Sequence, residues 1–172
     1  MKQVSAGILL HRRRGEAIEV LLVRPGGPFW RGKDAGAWMI PKGGIGEGET
    51  ALAAAVREFE EELGTPPPGM PVPLCTVRQK GGKWVEAFAL AGAFDPATLA
   101  SNSFTLEYPP RSGRYRDFPE VEEARWFALL EARAMMLPSQ RPILDALEAA
   151  LSPDRTGADA PAAGSADTGS AR

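Results

Sequence analysis

Four glutamates crowd into the five residues EFEEE, at Glu58, Glu60, Glu61 and Glu62. On a helix, like charges three and four residues apart repel, at roughly 0.2–0.5 kcal/mol per pair. Glu58, Glu61 and Glu62 are related by such steps and project from one face, whereas Glu60 points elsewhere into solvent. Carboxylate oxygens gathered on one face, with no lysine beside them in the helix, form a hard donor set suited to Mg²⁺ or Mn²⁺. A divalent cation would offset the repulsion. For EFEEE taken alone the alternative is an exposed, solubilising face.

The residues on either side bear on that choice. Pro41-Lys42-Gly43-Gly44 leads toward the acidic face, and glycine permits positive φ and close approach of main chain to a metal or phosphate. Thr50 is positioned as an N-cap for the helix that follows. Leu52, Val56, Phe59 and Leu63 recur at steps of four, three and four, which predicts the buried stripe. Glu49, ahead of the helix, and Arg57, within it, are eight residues apart and are expected to clamp the loop to the helix as an ion pair.

This arrangement resembles the Nudix box, in which G, five residues, E, seven residues, R-E-U-x-E-E-x-G-U follow one another, U being a bulky apolar residue. Gly43, Glu49, Arg57, Glu58, Phe59, Glu61, Glu62 and Gly64 stand in register, and Thr65 departs from the pattern at the final U. The resemblance implies an α+β chain with the Nudix fold, an α/β/α sandwich around a mixed β-sheet. It also implies hydrolysis of a diphosphate linkage in a nucleoside diphosphate joined to a group X, with Mg²⁺ (or Mn²⁺) as cofactor. Carried over by position, Glu58, Glu61 and Glu62, with the Gly43 carbonyl, are the expected metal ligands, and Arg57 and Glu49 the supporting pair. Relatives take the general base either from the box or from a distant loop. Glu61 is therefore the first choice and Glu120, in FPEVEEARWF, the second; PEVEE also reads as the exposed start of a strand.

The elements that must position these groups follow from local pattern. VSAGILL (4–10) and IEVLLV (18–23) flank HRRRGEA and predict an antiparallel hairpin with Arg12, Arg13 and Arg14 solvated in its turn. RPGGPFWRGKDAGAW is too rich in Pro and Gly for regular structure, and AWMI reads as a short strand. PLCTVRQ and KWVEAFALAGA predict a second hairpin around Gly81-Gly82. SFTLEY and EARWF read as strands, LLEARAMM as a helix stopped before Pro138, and RPILDALEAAL as a last helix with Ile143, Leu144, Leu147 and Leu151 on its buried side. The folded domain is expected over residues 1–151, followed by a disordered tail from 152 to 172 that lacks aromatic residues, Leu, Ile, Val and Met.

Group X is set outside the box. Lys42, just before it, is a phosphate contact or a solvated loop lysine. Lys83 matches the phosphate-binding lysine of relatives that cleave diadenosine tetraphosphate, but Ala87 stands where their base-stacking tyrosine is expected. Phe29, Trp30, Tyr108 and Tyr115 are alternatives for stacking, or plugs for loops. Arg111, Arg114 and Arg116 form a cluster that either grips additional phosphates or is a solvated loop.

The whole chain narrows the partners. Its 172 residues carry 20 basic and 22 acidic side chains, a net charge of −2, which gives no general attraction to DNA or an anionic membrane. One cysteine, Cys75, excludes an internal disulfide, and MKQVSAGILLHRRRG lacks the order and length of a signal peptide, so a cytoplasmic location is expected. The partner expected is a small nucleotide or other diphosphate, and nothing in the helix stripes demands or forbids a dimer. Three readings follow: a hydrolase of dinucleoside polyphosphates or nucleoside triphosphates, a hydrolase of a non-nucleotide diphosphate or an RNA 5′ end, and a non-catalytic Nudix module that senses a nucleotide.

Overall fold

The computed structural model describes residues 2–153, and the tail expected from residue 152 lies outside the described residues beyond Pro153. Strands β1 (Val4–Arg14) and β2 (Ala17–Pro25) form the leading hairpin, in register from His11 opposite Val20 to Arg14 opposite Ala17. The arginines belong to β1 and not to the turn, which is Gly15-Glu16. Arg12 extends the strand because it gains partners across it. Its Nε donates to Glu19 at 2.7 Å and its guanidinium lies 4.0 Å from the centre of the Trp126 ring.

After the Pro/Gly-rich loop come β3 (Lys42–Gly44), α1 (Ala51–Leu63), β4 (Val72–Arg78) and β5 (Trp84–Ala91). Then follow β6 (Ser103–Glu107), β7 (Tyr115–Pro119), β8 (Val121–Ala128), α2 (Leu129–Met135) and α3 (Arg141–Leu151). The main sheet runs β4-β5-β1-β2-β8, with β3 paired to β1. β1 and β5 are parallel and the other pairs antiparallel, which makes the sheet mixed, as expected.

Alternation along β1 and β2 supplies both faces of this sheet. Ala6, Ile8, Leu10, Leu21 and Val23 meet α1 on one side, and Leu9, Val20 and Leu22 meet α2 and α3 on the other. The α/β/α sandwich therefore has two cores. Ile143, Leu144 and Leu147 of α3 are fully buried, whereas Leu151 is only partly so. On α1 the buried side is rotated from the expected stripe. Ala54, Ala55, Phe59 and Leu63 are inaccessible, and Leu52 and Val56 lie at the margin. The alanines let the helix come close to the sheet, an effect that large-residue periodicity does not register.

Several connections differ from expectation in ways that shape the site. Lys42-Gly43-Gly44 is strand and not loop, registered with Gly7, Ala6 and Ser5 of β1. AWMI forms no strand of the sheet. Met39 bridges to Val23, Trp38 to Met136, and the buried Gln140 side-chain oxygen accepts the Ile40 N–H at 3.1 Å. The arginine-bearing PPRSGRYRDFPE contains β7, which pairs with β6 in a separate two-stranded sheet. Among the described residues no helix is long and apolar enough to cross a membrane.

Candidate active site

Helix α1 is held at both ends. Thr50 Oγ1 accepts the Ala53 N–H at 3.2 Å, and Gly64 closes the helix in the left-handed region at φ 83°, donating to the Glu60 carbonyl. A Cβ on Gly64 would meet the Ala100 carbonyl at 2.6 Å, so glycine also admits the chain that crosses this end. That crossing chain matters. Asn102 N–H donates to the Glu61 carbonyl at 2.9 Å, and the Asn102 carbonyl accepts Glu120 N–H at 2.8 Å. Two backbone bonds thus carry Glu120, just before β8, to the acidic face of α1.

Gly43 is needed for close approach rather than for a special φ. Its strand conformation is available to any residue, but a Cβ there would overlap the carboxylate of Glu58. The strand backbone and the helix acid are therefore packed against each other. Replacing Gly43 by Ala is expected to push β3 and Glu58 apart and to lower both stability and any metal-dependent turnover. Thermal melting and kcat measured on the same preparation check this, and wild-type values of both would refute it.

Arg57 joins the loop to the helix. Its Nε and Nη2 donate to the two carboxylate oxygens of Glu49 at 2.9 and 3.0 Å, and Nη2 also donates to the Gly44 carbonyl at 2.9 Å. Nη1 donates to Glu58 at 2.7 Å and more distantly to Glu61 at 3.3 Å. The bond from Arg57, with another from Gly46 N–H, holds the Glu49 carboxyl down at about 2. Glu49 thus remains an anion, and Arg57 is held still further on its charged side. The acids of α1 therefore have no lysine beside them in the helix but do have one cation there, Arg57, which also reaches Glu58 and Glu61.

Beside this hub lies a cleft of about 440 Å³, lined by Glu62 and Glu120 and by Lys42, Lys80 and Lys83. Trp30 and Met39 contribute apolar wall. Burial pushes the Glu62 carboxyl up to about 8, against the pull of Lys42 and with the added repulsion of Glu58 and Glu120. Glu120 is also raised, first by burial and then by Glu58 and Glu61. Lys42 is lowered by burial and by Lys83, against the attraction of Glu62 and Glu58. Burial thus disfavours the charged forms of Glu62, Glu120 and Lys42 within one cleft, and neighbouring carboxylates add to the effect on the two acids.

Of the residues expected from the sequence, Lys42, Gly43, Arg57, Glu58, Glu61, Glu62, Lys83 and Glu120 are brought to this one region. Arg111 and Tyr115 are not. Both are exposed in the β6–β7 hairpin, Arg111 at its turn with φ 62° and Tyr115 opposite Glu107 at the end far from Glu120. Of the aromatic candidates only Trp30 lines the cleft; Phe29 is 71% exposed and packs edge-on against Trp30. The sequence reading overlooked Lys80 and Gln79, which share the cleft wall with Lys83. Their signal was the hairpin turn itself, which places 79 to 83 together at one end of β4 and β5.

The donor set fits a divalent cation. Among the described residues no three Asp, Glu, His or Cys side chains converge on a single ion position as they stand. The reason is local: Glu58 and Glu61 turn to Arg57, and Glu62 accepts the Lys42 N–H at 3.3 Å. Glu62 and Glu120 are pushed toward protonation first by burial and then by neighbouring carboxylates, and Glu58 packs against a strand that has no side chain at Gly43. A dication of hard-oxygen preference would relieve that repulsion once Glu58 and Glu61 turn from Arg57 toward it.

The family model for the NUDIX domain matches residues 1–147. The octanoyltransferase of Myxococcus xanthus is 34% identical over 110 residues, covering 64% of this chain and 26% of that protein. The RNA pyrophosphohydrolase of Erythrobacter litoralis is 41% identical over 59 residues, covering 34% of this chain and 32% of that protein. The chain thus spans about a quarter to a third of the length of these curated relatives. A C. elegans Ap4A hydrolase structure superposes with TM-score 0.61 at 21% identity, over 86% of this chain and 97% of that one, and shares the fold.

Proposed function

The chain belongs to the NUDIX domain family, and from that premise we propose that it is a Mg²⁺- or Mn²⁺-dependent hydrolase of the diphosphate linkage in a nucleoside diphosphate joined to a group X. Dinucleoside polyphosphates and nucleoside triphosphates are the leading substrates. The observation that carries this reading is a single cleft lined by both carboxylates and lysines, Glu62 and Glu120 together with Lys42, Lys80 and Lys83. A polyphosphate needs both: cationic side chains for its own oxygens, and an acidic site for the cation that accompanies it.

Glu58, Glu61 and Glu62, with the Gly43 carbonyl, are the residues that would hold the cation. When bound it neutralises phosphate oxygens and makes a water easier to deprotonate. Arg57 keeps Glu58 and Glu61 in place and, through Glu49 and Gly44, ties them to β3. Lys42 and Lys83 draw phosphate oxygens to the cleft, with Lys80 as a third donor. Trp30 offers the apolar surface on which a base can lie. Glu61 takes the proton of the attacking water, and Glu120 is the alternative acceptor.

A panel of diphosphate compounds, incubated with Mg²⁺ or Mn²⁺ and followed by identification of both products, tests the proposal. Turnover of a nucleoside polyphosphate that is lost in EDTA and restored by excess Mg²⁺ is expected. Tight nucleotide binding without turnover of any member would replace the enzyme reading with a sensor.

An RNA 5′ end is the second reading. It is favoured by similarity to an RNA pyrophosphohydrolase over 59 residues and by the β6–β7 hairpin, whose Glu120 end meets the cleft and whose arginines lie farther out.

A further inference from the structure

The β6–β7 hairpin stands apart from the main sheet, and its register sorts its side chains by chemistry. Phe104 lies opposite Phe118, Leu106 opposite Arg116, and Tyr108 donates its N–H to the Arg114 carbonyl, so these six residues share one face. The other face carries Thr105 opposite Asp117 and Glu107 opposite Tyr115. Both acids therefore lie on one side, and Arg116 of β7, with Arg114 just before the strand, on the other. The acids are also engaged locally: Asp117 accepts from Thr105 Oγ1 at 2.6 Å and Glu107 from Gly113 N–H at 2.8 Å. Arg114 and Arg116 are exposed and have no carboxylate partner among the described residues.

This basic face begins at the cleft. The Phe104 ring rests against Gly27, where a Cβ would come within 3.0 Å of it, and Gly27 belongs to the loop whose Pro25 and Trp30 line the cleft. Gly26 N–H donates to the carbonyl of Glu120, itself a cleft residue. From that root the face runs outward through Phe118 and Arg116 to Arg114, about 20 Å at the usual rise of a strand. Half-buried rings, Phe104 against Phe118 and Phe118 edge-on to Tyr108, are interleaved with the exposed arginines; aromatic surface alternating with cations that follow phosphates is the chemistry of single-strand binding.

We propose that this face of the β6–β7 hairpin is a docking track for single-stranded RNA whose 5′ end lies in the cleft. The inference rests on the RNA reading of that cleft. A mononucleotide is too short to reach Arg114 and Arg116, so the track discriminates between an RNA and its free nucleotide.

Fluorescence anisotropy with a labelled single-stranded RNA of about 10 nucleotides and a 5′-hydroxyl end reads the track without turnover. For full-length protein carrying both Arg114→Ala and Arg116→Ala, the Kd is expected to rise about tenfold. The slope of log K against log salt is expected to fall by about 1.4, that is about 0.7 for each phosphate that is no longer neutralised. Tyr115→Ala, on the opposite face, is expected to keep wild-type affinity. In parallel, the ratio of kcat/KM for 5′-triphosphorylated RNA to that for the nucleoside triphosphate is expected to drop about tenfold in the double variant, in line with removal of the same two cations. Wild-type affinity in the double variant, or equal weakening by Tyr115→Ala, would overturn the track. So would a change in the mass of the protein in solution, which would make the face a contact between copies. Absence of turnover on any diphosphate, with the affinity pattern as expected, would instead remove the hydrolase reading and leave the RNA track standing.

Discussion

Glu61→Gln is expected to lower kcat by a factor of about 10²–10⁴, the range for loss of a positioned proton acceptor. Little change in melting temperature should accompany it. The structure separates the two effects unusually well. The Glu61 side chain is 37% exposed, and its one bond from Arg57 is a long 3.3 Å. Without that bond, Arg57 still keeps its paired bonds to Glu49 and its short bond to Glu58. The backbone carbonyl of Glu61, which anchors Asn102, is untouched by the substitution. Glu60→Gln, an exposed acid turned away from the cleft, is the matched control and should leave kcat unchanged. Full activity in Glu61→Gln would pass the role to Glu120, and the same measurement on Glu120→Gln would then show the loss.

Phe59→Ala is expected to destabilise the fold by about 3–5 kcal/mol, a large part of the roughly 5–15 kcal/mol that holds a domain of this size together. Phe59 is fully inaccessible, packed between α1 and the sheet beside Ala54, Ala55 and Leu63. Truncation leaves a cavity between two rigid layers that cannot collapse to fill it. Chemical denaturation should show a lower midpoint with an unchanged slope, the sign of lost stability without altered compactness. Leu52→Ala and Val56→Ala, at the margin of the same helix, should cost distinctly less. Equal losses at all three positions would show that the helix seats on its large residues and not on the Ala54–Ala55 side.

The site was legible in the sequence wherever its geometry is local. Glu49 and Arg57, Thr50, Gly64 and the i, i+3, i+4 acids all lie within one helix and the turn before it, where backbone periodicity converts spacing into position. The hairpins of β1 with β2 and of β4 with β5 were legible for the same reason, because short turns leave few alternatives. Arg12 was misread because its partners, Glu19 across the strand and Trp126 from β8, come from other elements. β7 was misread because its polar pattern resembles a loop until β6 is set beside it.

By itself, then, the sequence determined the family, the start and N-cap of α1 and the acids it displays. Local hydrogen bonding and periodicity suffice for those, and no distant residue enters them. Only the tertiary structure decided what those acids face. The parallel pairing of β1 with β5 brings the Lys80–Lys83 turn toward Lys42 on β3, and the bonds from Asn102 bring Glu120 to Glu61. Such contacts join segments tens of residues apart. They depend on which strands become neighbours and on which close approaches Gly43 and Gly64 allow, a choice made by packing the whole chain at once.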